Sequence, residues 1–345
     1  MEIGIYSLAD LNPDPHTGKT ISSKQRIEEI IKAAKLADEA GLDVFGVGEH
    51  HRIEYAVSTP AVVLSAISQV TKQIKLTSAT TVLNTIDPVR LFEDFSTLDL
   101  LSNGRAEIMA GRGAFLESFS LFGYDPKNYD ALFEEHLKLL LHLNANEKVT
   151  WNGCYRSSLK DAEIAPRPVQ QKIPVWVAVG SSLESAERAG RLGTALAIVM
   201  LGGDPNEYKP LVDLYRISFA QAGQALGNEK VGVTGHAYIS KTSQQAIEEF
   251  YPYHSNYWFQ LKRQHGVMQT ISITDFERMS GKETALFVGS SQQIIEKIMA
   301  QYELFGHQRF IAQMDIGGMP FKKVAENIER LATEVAPVIR KETKK

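Results

Sequence analysis

Residues 32–49 read KAAKLADEAGLDVFGVGE, in which a helical pattern ends at a glycine and runs directly into an apolar strand. The same order of helix, glycine and strand recurs in ESAERAGRLGTALAIVM at residues 184–200 and in QYELFGHQRFIAQMD at residues 301–315. A glycine at such a junction can take the left-handed conformation that ends a helix, and the junction glycines are Gly41, Gly193 and Gly306. This alternation predicts parallel strands joined by right-handed helical crossovers.

Eight apolar stretches have the length and composition of strands, and each is followed by a helical pattern. They are residues 2–6, 43–48, 74–82, 105–110, 174–179, 195–200, 231–239 and 308–314. Eight such units in 345 residues predict an α/β fold, a closed (β/α)₈ TIM barrel that forms one domain over residues 1–345. An open, doubly wound parallel sheet is the alternative that the same pattern allows.

Two stretches interrupt the alternation of strands and helices. Residues 145–172 are polar and lie between the fourth helix and the fifth strand, and residues 264–290 lie before the last unit. We expect both to be excursions from the barrel, and either could hold a lid or a dimer contact.

Two helix starts carry recognisable signals. Ser22 and Gln25 fit a capping box, in which each residue's side chain bonds the other's backbone N–H. Asp87 can cap the helix that Pro88 begins, because proline is favoured at the first helical position.

Composition narrows the class of protein. The chain is 43% hydrophobic and 23% charged, with a formal net charge of -4, and no basic patch points to nucleic acid or an anionic membrane surface. The lone Cys154 excludes an internal disulfide and favours a reducing compartment. No signal peptide and no apolar run of about 18 residues is visible, so we expect a cytoplasmic protein without a membrane span.

The second predicted strand ends in Gly-Glu-His-His, at the end of a barrel strand where reactive residues belong. A neutral imidazole both accepts and donates protons near pH 7, which makes His50 and His51 acid–base candidates, with Glu49 as a group that orients or charges one ring. The alternative is that one histidine bonds the backbone and the other faces water. A metal site is a further alternative, for which the sequence offers no matching third ligand.

Two further strand ends favour a flat ligand. Residues 77–85, TSATTVLNT, are small and β-branched and would allow close approach, although a buried strand explains them equally well. Arg112 lies between Gly111 and Gly113 just after the fourth strand, where an arginine could bind a phosphate. A structural turn is the alternative.

The fifth strand runs into Gly180-Ser181-Ser182 and a helix that contains Ser185. A helix start with nearby hydroxyls attracts anions, and ordinary serine capping is the alternative. The aromatic stretch FYPYHSNYWF at residues 250–259 could roof an apolar pocket or form core.

Taken in order, GEHH, ATTVLNTIDPVRLFED, LLSNGRAEIMAGRG and the VGSS–ESAERAG turn resemble the bacterial luciferase-like monooxygenase family of flavin-dependent oxidoreductases. The resemblance covers nearly the whole chain. It implies a (β/α)₈ barrel that binds FMN at the carboxyl ends of the strands. His50 matches a histidine that is important in catalysis in luciferases, which implies that it is the acid–base group, supported by Glu49 and His51.

The resemblance also implies how the flavin is held. Its phosphate would be received by the two turns and the helix start, and its isoalloxazine ring would lie beside the third strand. The residues so implied are Gly111, Arg112, Gly113, Gly180, Ser181, Ser182 and Ser185 for the phosphate end, and Ala79, Thr80 and Thr81 for the ring. A non-proline cis peptide is implied at Ala79–Thr80 or nearby.

The sequence departs from the luciferases at two positions. Asp87 stands where they have a histidine, and Gly111 stands where they have a cysteine near the flavin. The second change implies more room beside the flavin and no thiol.

The resulting interpretation is an FMN-dependent monooxygenase of two-component type that uses reduced FMN and O₂ to oxidise a small organic substrate. A separate flavin reductase would supply the reduced FMN, since no nicotinamide fingerprint is present. Two alternatives remain: a deazaflavin-dependent reductase of the same superfamily and a non-catalytic flavin-storage protein. The resemblance implies a homodimer.

Overall fold

The strands of the computed structural model, which describes residues 1–225, 227–263 and 266–344, are mostly short and buried. In chain order they are β1 (Glu2–Ser7), β2 (Val44–Val47), β3 (Lys75–Ser78), β4 (Thr81–Val82), β5 (Ala106–Gly111), β6 (Lys148–Trp151), β7 (Leu159–Glu163), β8 (Val175–Val179), β9 (Ala195–Met200), β10 (Val231–Ser240), β11 (Phe287–Ser290) and β12 (Arg309–Gln313).

Parallel pairing closes these strands into an eight-stranded barrel, in the order β1, β2, β3, β5, β8, β9, β10 and β12. Closure rests on β10, which pairs with β9 on one side and with β12 on the other, while β12 returns to β1. The predicted (β/α)₈ barrel is therefore confirmed, and the open sheet is excluded.

The third predicted strand, 74–82, is wrong as one continuous element. It ends at Ser78 and resumes at Thr81, with a cis peptide bond between Ala79 and Thr80. The resemblance implied a cis bond at this position, and the structure contains it. The other seven predicted strands agree with the structure to within one residue at each end.

Helices surround the barrel and follow its strands. They are α1 (Ser23–Glu39), α2 (Pro60–Ser68), α3 (Pro88–Ser102), α4 (Glu117–Phe122), α5 (Tyr129–Ala145), α6 (Leu183–Arg191), α7 (Lys209–Gln221), α8 (Ser243–Arg263), α9 (Ile273–Met279), α10 (Ser291–Phe305), α11 (Phe321–Arg330) and α12 (Ala336–Glu342). Short 3₁₀ turns, Pro126–Asn128 and Pro205–Tyr208, precede α5 and α7, and a π turn, Leu331–Val335, joins α11 to α12.

The helix-end signals are mostly confirmed. The three junction glycines have φ angles of 80°, 68° and 58°, as the left-handed end of a helix requires. The Asp87 carboxylate accepts from the N–H of Val89 at 2.8 Å, and α3 begins at Pro88. The capping box at α1 is only half formed: Ser22 accepts from the Gln25 N–H at 3.2 Å, but the Gln25 amide donates to Glu29 instead of returning to Ser22.

The two interruptions have different structures. Residues 145–172 contain the antiparallel pair β6 and β7, which forms a separate two-stranded sheet. In residues 264–290, positions 264 and 265 lie outside the described residues, and the remainder contains α9 and β11. Strand β11 pairs in parallel with the C-terminal half of β10, beyond the ring of barrel strands. Within the described part of the chain, no helix has the length and apolar character needed to cross a membrane.

The amino end of the barrel interior is closed by a buried ionic cluster. Arg309 is 1% exposed and makes a bidentate ion pair with Glu107, one of whose N–O distances is 3.0 Å. The Arg309 Nε also donates to Glu2 at 2.7 Å, and its guanidinium lies 4.2 Å from the ring centre of Trp176. Lys75 adds a second cation beside both carboxylates. These contacts place large charged and aromatic side chains in the lower interior of the barrel.

Neutralising Glu107 should destabilise the fold. In Glu107→Gln the buried Arg309 loses its main counter-charge, and breaking one side of a buried ion pair costs about 3–5 kcal/mol. We expect the free energy of unfolding, measured by urea denaturation, to fall by about that amount. Lys24→Ala is the control, because the Lys24–Glu28 pair is exposed and should contribute less than about 1 kcal/mol. A loss in Glu107→Gln no larger than in the control would contradict the structural role of the cluster.

Candidate active site

A cavity of about 580 Å³ opens at the carboxyl ends of the barrel strands, within the usual size range of ligand pockets. Its lining combines apolar side chains with a few polar groups that point to one region. The lining residues are Tyr6, Leu8, Glu49, His50, His51, Ala79, Thr80, Val82, Met109, Gly111, Arg112, Gly113, Ala114, Phe115, Glu117, Ser118, Tyr129, Ala178, Gly180, Val199, Leu201, Thr234, Tyr257, Leu261, Lys262 and Ile311.

Most of the site residues expected from the sequence meet in this cavity. Those that line it are Glu49, His50, His51, Ala79, Thr80, Gly111, Arg112, Gly113 and Gly180. Four others, Thr81, Ser181, Ser182 and Ser185, lie close along the chain but are not among the lining residues. Four separate barrel strands therefore bring their ends to one place, as their parallel pairing requires.

Glu49 joins the loop after β2 to the loop after β3. Its carboxylate is 8% exposed, and one oxygen accepts from the backbone N–H of Val82 at 3.1 Å. The other oxygen lies 2.8 Å from Nε2 of His51, which must carry the hydrogen because an ionised carboxylate only accepts. The carboxylate thus fixes the tautomer and the orientation of the His51 ring.

His50 occupies an apolar and aromatic environment. Its ring stacks on Tyr55 with centroids 3.9 Å apart and planes 9° apart, and Phe115 lies 5.7 Å away. Burial lowers the pKa of His50 to about 3, and the charges of His51 and Arg52 act in the same direction. The imidazole is therefore neutral at physiological pH, and its buried Nδ1 has no hydrogen-bond partner among the described residues.

One side of the cavity is built from small residues on β3, β5 and β8. Gly111 ends β5, and an ideal Cβ placed on it would lie 2.4 Å from Oγ1 of Thr80 and 2.9 Å from its Cβ. The space beside Gly111 is thus filled by Thr80, so the expectation of extra room there is wrong. Ala178 adds another short side chain, and Met109 of β5 is the long side chain on this wall, against which a flat ring can lie.

Arg112 and Gly113 lie where the chain leaves β5. The Arg112 guanidinium is 5.0 Å from the ring centre of Tyr129 and is ion-paired with Asp130. Gly113 has a φ of 82°, which favours glycine, and its carbonyl accepts from the Tyr129 hydroxyl at 2.7 Å. The nearby Ser118 hydroxyl is buried and has no partner within the described structure. This corner offers a cation and an unused hydroxyl to an anionic group.

The serines at the start of α6 are engaged in capping. The Ser182 hydroxyl accepts from the Ser185 N–H at 3.2 Å and lies 3.1 Å from the Ser185 hydroxyl. Gly180 stands immediately before them and reaches the cavity. The alternative of ordinary serine capping therefore describes the arrangement seen, and a phosphate role for Ser181, Ser182 and Ser185 stays a prediction.

Several lining residues were missed in the sequence. Tyr6 ends the first strand, where position alone could have marked it. Phe115 and Ser118 follow the Gly-Arg-Gly turn, but no spacing distinguishes them from other loop residues. The aromatic stretch 250–259 contributes Tyr257 to the lining, whereas Phe250 and Tyr253 pack in the core.

The arrangement fits a flat, largely apolar ring system with an anionic tail. The ring would lie on the small residues of β3, β5 and β8, beside the neutral His50, and the tail would reach the Arg112 corner. In residues 1–225, 227–263 and 266–344, no group of three or more His, Cys, Asp or Glu side chains could hold a metal ion.

Comparison with known proteins agrees with this geometry. The profile of a family described as luciferase-like monooxygenase matches residues 1–309. The oxygenase component of the flavin-dependent trigonelline monooxygenase of Acinetobacter baylyi is 24% identical over 338 residues, which cover 92% of this chain and 91% of that protein.

Solved structures share the fold over nearly the full chain. Monooxygenase RslO1 from Streptomyces bottropensis superposes with a TM-score of 0.84 at 24% identity, covering 98% of this chain and 99% of the other. The oxygenating constituent of 3,6-diketocamphane monooxygenase from Pseudomonas putida, in complex with FMN, gives 0.79 at 20% identity and the same coverage. An F420-dependent secondary alcohol dehydrogenase gives 0.76 at 17% identity, again covering 98% and 99%. These superpositions show that the proteins share a common fold.

Substitutions of two of the cavity glycines, Gly111 and Gly180, should have different effects on stability. In Gly111→Ala the new methyl would collide with Thr80, and overpacking of this kind costs about 1–3 kcal/mol. Gly180→Ala is the matched control, since a Cβ at that position meets no atom of the described residues within 4 Å. We expect urea denaturation to show a lower free energy of unfolding for the first variant only. Equal stability of the two variants would contradict the tight contact between β5 and Thr80.

The acid sensitivity of folding should depend on His50. The unfolded chain protonates this imidazole near pH 6.5, whereas the folded protein does so only near pH 3. Between these values the unfolded state binds more protons, so the wild type loses stability on acidification that a His50→Gln variant keeps. From pH 7 to pH 5 the difference in unfolding free energy should shift by up to about 2 kcal/mol in favour of the variant. Parallel pH dependences in urea denaturation would contradict a neutral, desolvated His50.

Proposed function

The chain belongs to the luciferase-like monooxygenase family, and we propose that it is the FMN-dependent oxygenase of a two-component system that oxidises a small organic substrate. The observation that carries the proposal is the cavity itself. It combines a wall of small residues, a neutral histidine and an anion-accepting corner at the carboxyl end of a closed barrel.

In this proposal the ring of the cofactor lies beside Ala79, Thr80 and Thr81. When bound, reduced FMN supplies the two electrons with which O₂ is split, one oxygen atom going to the substrate and the other leaving as water. The protein excludes water from this space with its apolar lining and holds the ring in place.

His50 is the proposed acid–base group. A neutral imidazole can accept a proton at one nitrogen while the other donates a hydrogen bond, and burial keeps this ring neutral. Glu49 and His51 position the loop that carries it, since the Glu49 carboxylate bonds both the His51 ring and the Val82 backbone.

The phosphate end of FMN is assigned to the corner around Arg112. The phosphate would be bound by the Arg112 guanidinium and the unused Ser118 hydroxyl, together with two turns. These turns are formed by Gly111 and Gly113 and by Gly180-Ser181-Ser182 with Ser185. Binding a phosphate would require Arg112 to share its charge between the ligand and Asp130.

A separate reductase is the proposed source of reduced FMN. The relative from Acinetobacter baylyi is the oxygenase component of its enzyme, which supports this division of labour.

We also propose a homodimer in the cytoplasm. Exposed apolar side chains on the neighbouring helices α2 and α3, Val62 and Leu101 among them, support an interface there.

The second candidate is a deazaflavin-dependent reductase, because an F420-dependent dehydrogenase has the same fold over the full chain. Anaerobic titration with reduced FMN and with reduced F420, followed by mixing with oxygenated buffer, separates the candidates. Binding of reduced FMN, followed by reoxidation of the bound flavin by O₂ at a rate different from that of free flavin, supports the proposal. Binding of F420 but not FMN would indicate a deazaflavin-dependent reductase instead. Bound FMN that is never turned over would indicate a storage protein.

Replacement of His50 should separate catalysis from binding. In His50→Ala we expect turnover to fall by ~10²-fold or more, because proton transfer loses its positioned group, while the affinity for reduced FMN is kept. Added imidazole should restore part of the rate, which a merely structural defect would not allow. Steady-state oxidation and anaerobic titration measure the two effects. Unchanged turnover would rule out the assigned role.

A further inference from the structure

The cavity has a second wall, opposite the small residues, that the proposed cofactor site does not use. It is built from β1, β10, β12 and the end of α8. Its members are Tyr6, Leu8, Thr234, Ile311, Tyr257 and Leu261. The wall is therefore apolar and aromatic with three hydroxyl groups set into it.

The three hydroxyl-bearing residues of this wall come from three different elements, Tyr6 from β1, Thr234 from β10 and Tyr257 from α8. All three line the cavity and are at least nine-tenths buried. Each hydroxyl carries one hydrogen and can donate one hydrogen bond. An oxygen atom of a ligand in the cavity is therefore well placed to accept a hydrogen bond from this wall.

The charges behind the wall are unbalanced. Arg26 is buried between two carboxylates, 2.9 Å from Asp315 and 3.5 Å from Asp10. One cation thus faces two buried acids, and Oδ1 of Asp315 has no partner in the described structure. Burial raises the pKa of Tyr6, and the charge of Asp315 adds to the increase. Burial also raises the pKa of Tyr257, with Tyr55 and then Asp10 acting in the same direction. The phenols consequently keep their protons and act as donors.

We propose that the wall formed by Tyr6, Thr234 and Tyr257 is the substrate subsite, and that it selects a small uncharged molecule with one oxygen acceptor on an apolar frame. This inference rests on the proposed function, since it assigns the opposite wall to the cofactor. The hydroxyls of the wall donate to a carbonyl, ether or alcohol oxygen, and the apolar side chains cover the frame. An anionic substrate is disfavoured because the two acids behind the wall would repel it.

Lys262 could instead bind an anionic substrate in the same cavity. It is half-buried at the end of α8 and lines the cavity together with Leu261. If the substrate were a carboxylate, this ammonium group would be its partner and the tyrosine hydroxyls would be secondary. Substitutions at Tyr6 and at Lys262 therefore distinguish the two substrate classes.

The test uses two ring compounds of similar size, cyclohexanone and cyclohexanecarboxylate. Their dissociation constants are measured by ligand-observed NMR with the FMN-loaded protein, for the wild type and for Tyr6→Phe, Lys262→Met and Tyr215→Phe. The last variant is the matched control, because Tyr215 is buried outside the cavity, where its hydroxyl donates to the Thr194 carbonyl at 2.9 Å. Circular dichroism confirms that each variant is folded.

We expect cyclohexanone to bind more tightly than the carboxylate and to lose about 3- to 10-fold in affinity in Tyr6→Phe, as the loss of one hydrogen bond implies. Lys262→Met and Tyr215→Phe should leave its affinity unchanged. Tighter binding of the carboxylate that is lost in Lys262→Met would overturn the proposal, as would failure of cyclohexanone to bind or an unchanged affinity in Tyr6→Phe.

Repeating the titration without FMN separates this inference from the proposed function. Suppose that cyclohexanone binds in a Tyr6-dependent way but the protein never turns over reduced FMN with O₂. The subsite would then stand, and the oxygenase proposal would fall. Flavin-dependent oxygen consumption without Tyr6-dependent binding would have the opposite meaning.

Discussion

Side chains that pack inside the barrel determine where a ligand can enter it. An eight-stranded barrel has just enough room inside for side chains, so any ligand must replace some of them. Arg309, Glu107 and Trp176 pack against one another at the amino end of the interior. At the carboxyl end the inward positions of several strands are glycine or alanine, such as Gly111 and Ala178, and the interior continues there as an open cavity.

Close approach of the strands at that end determines what else the site can contain. The strand end at Gly111 and the chain at Thr80 are so close that a methyl group does not fit between them. The Glu49 carboxylate ties the loops after β2 and β3 together from inside the same region. His50 is thereby held against Tyr55 in a poorly hydrated environment, which keeps its imidazole neutral. The packing of the strand ends around an apolar space thus determines both the position of His50 and the protonation state of its ring.

How well each of these features could be predicted depends on how far apart in the sequence the interacting residues lie. The junction glycines and the Asp87 cap depend on neighbouring residues, and they were predicted correctly. The break in the third strand and the contact that fills the space at Gly111 depend on how β3, β4 and β5 pair, which no local pattern contains. Gln25 matched the capping box but bonds Glu29, because an exposed side chain has several partners of similar energy. Tyr6 and Tyr257 are 251 positions apart in the sequence, and only closure of the barrel makes them face one cavity.

The most direct test is a crystal structure of the protein soaked with FMN. We expect the isoalloxazine ring to lie against Ala79, Thr80 and Ala178, with His50 at its edge and the phosphate at the Arg112 corner. The wall of Tyr6 and Tyr257 should stay open to a substrate. A flavin bound with its ring on the tyrosine wall, or outside the cavity, would contradict the assignment of the two walls.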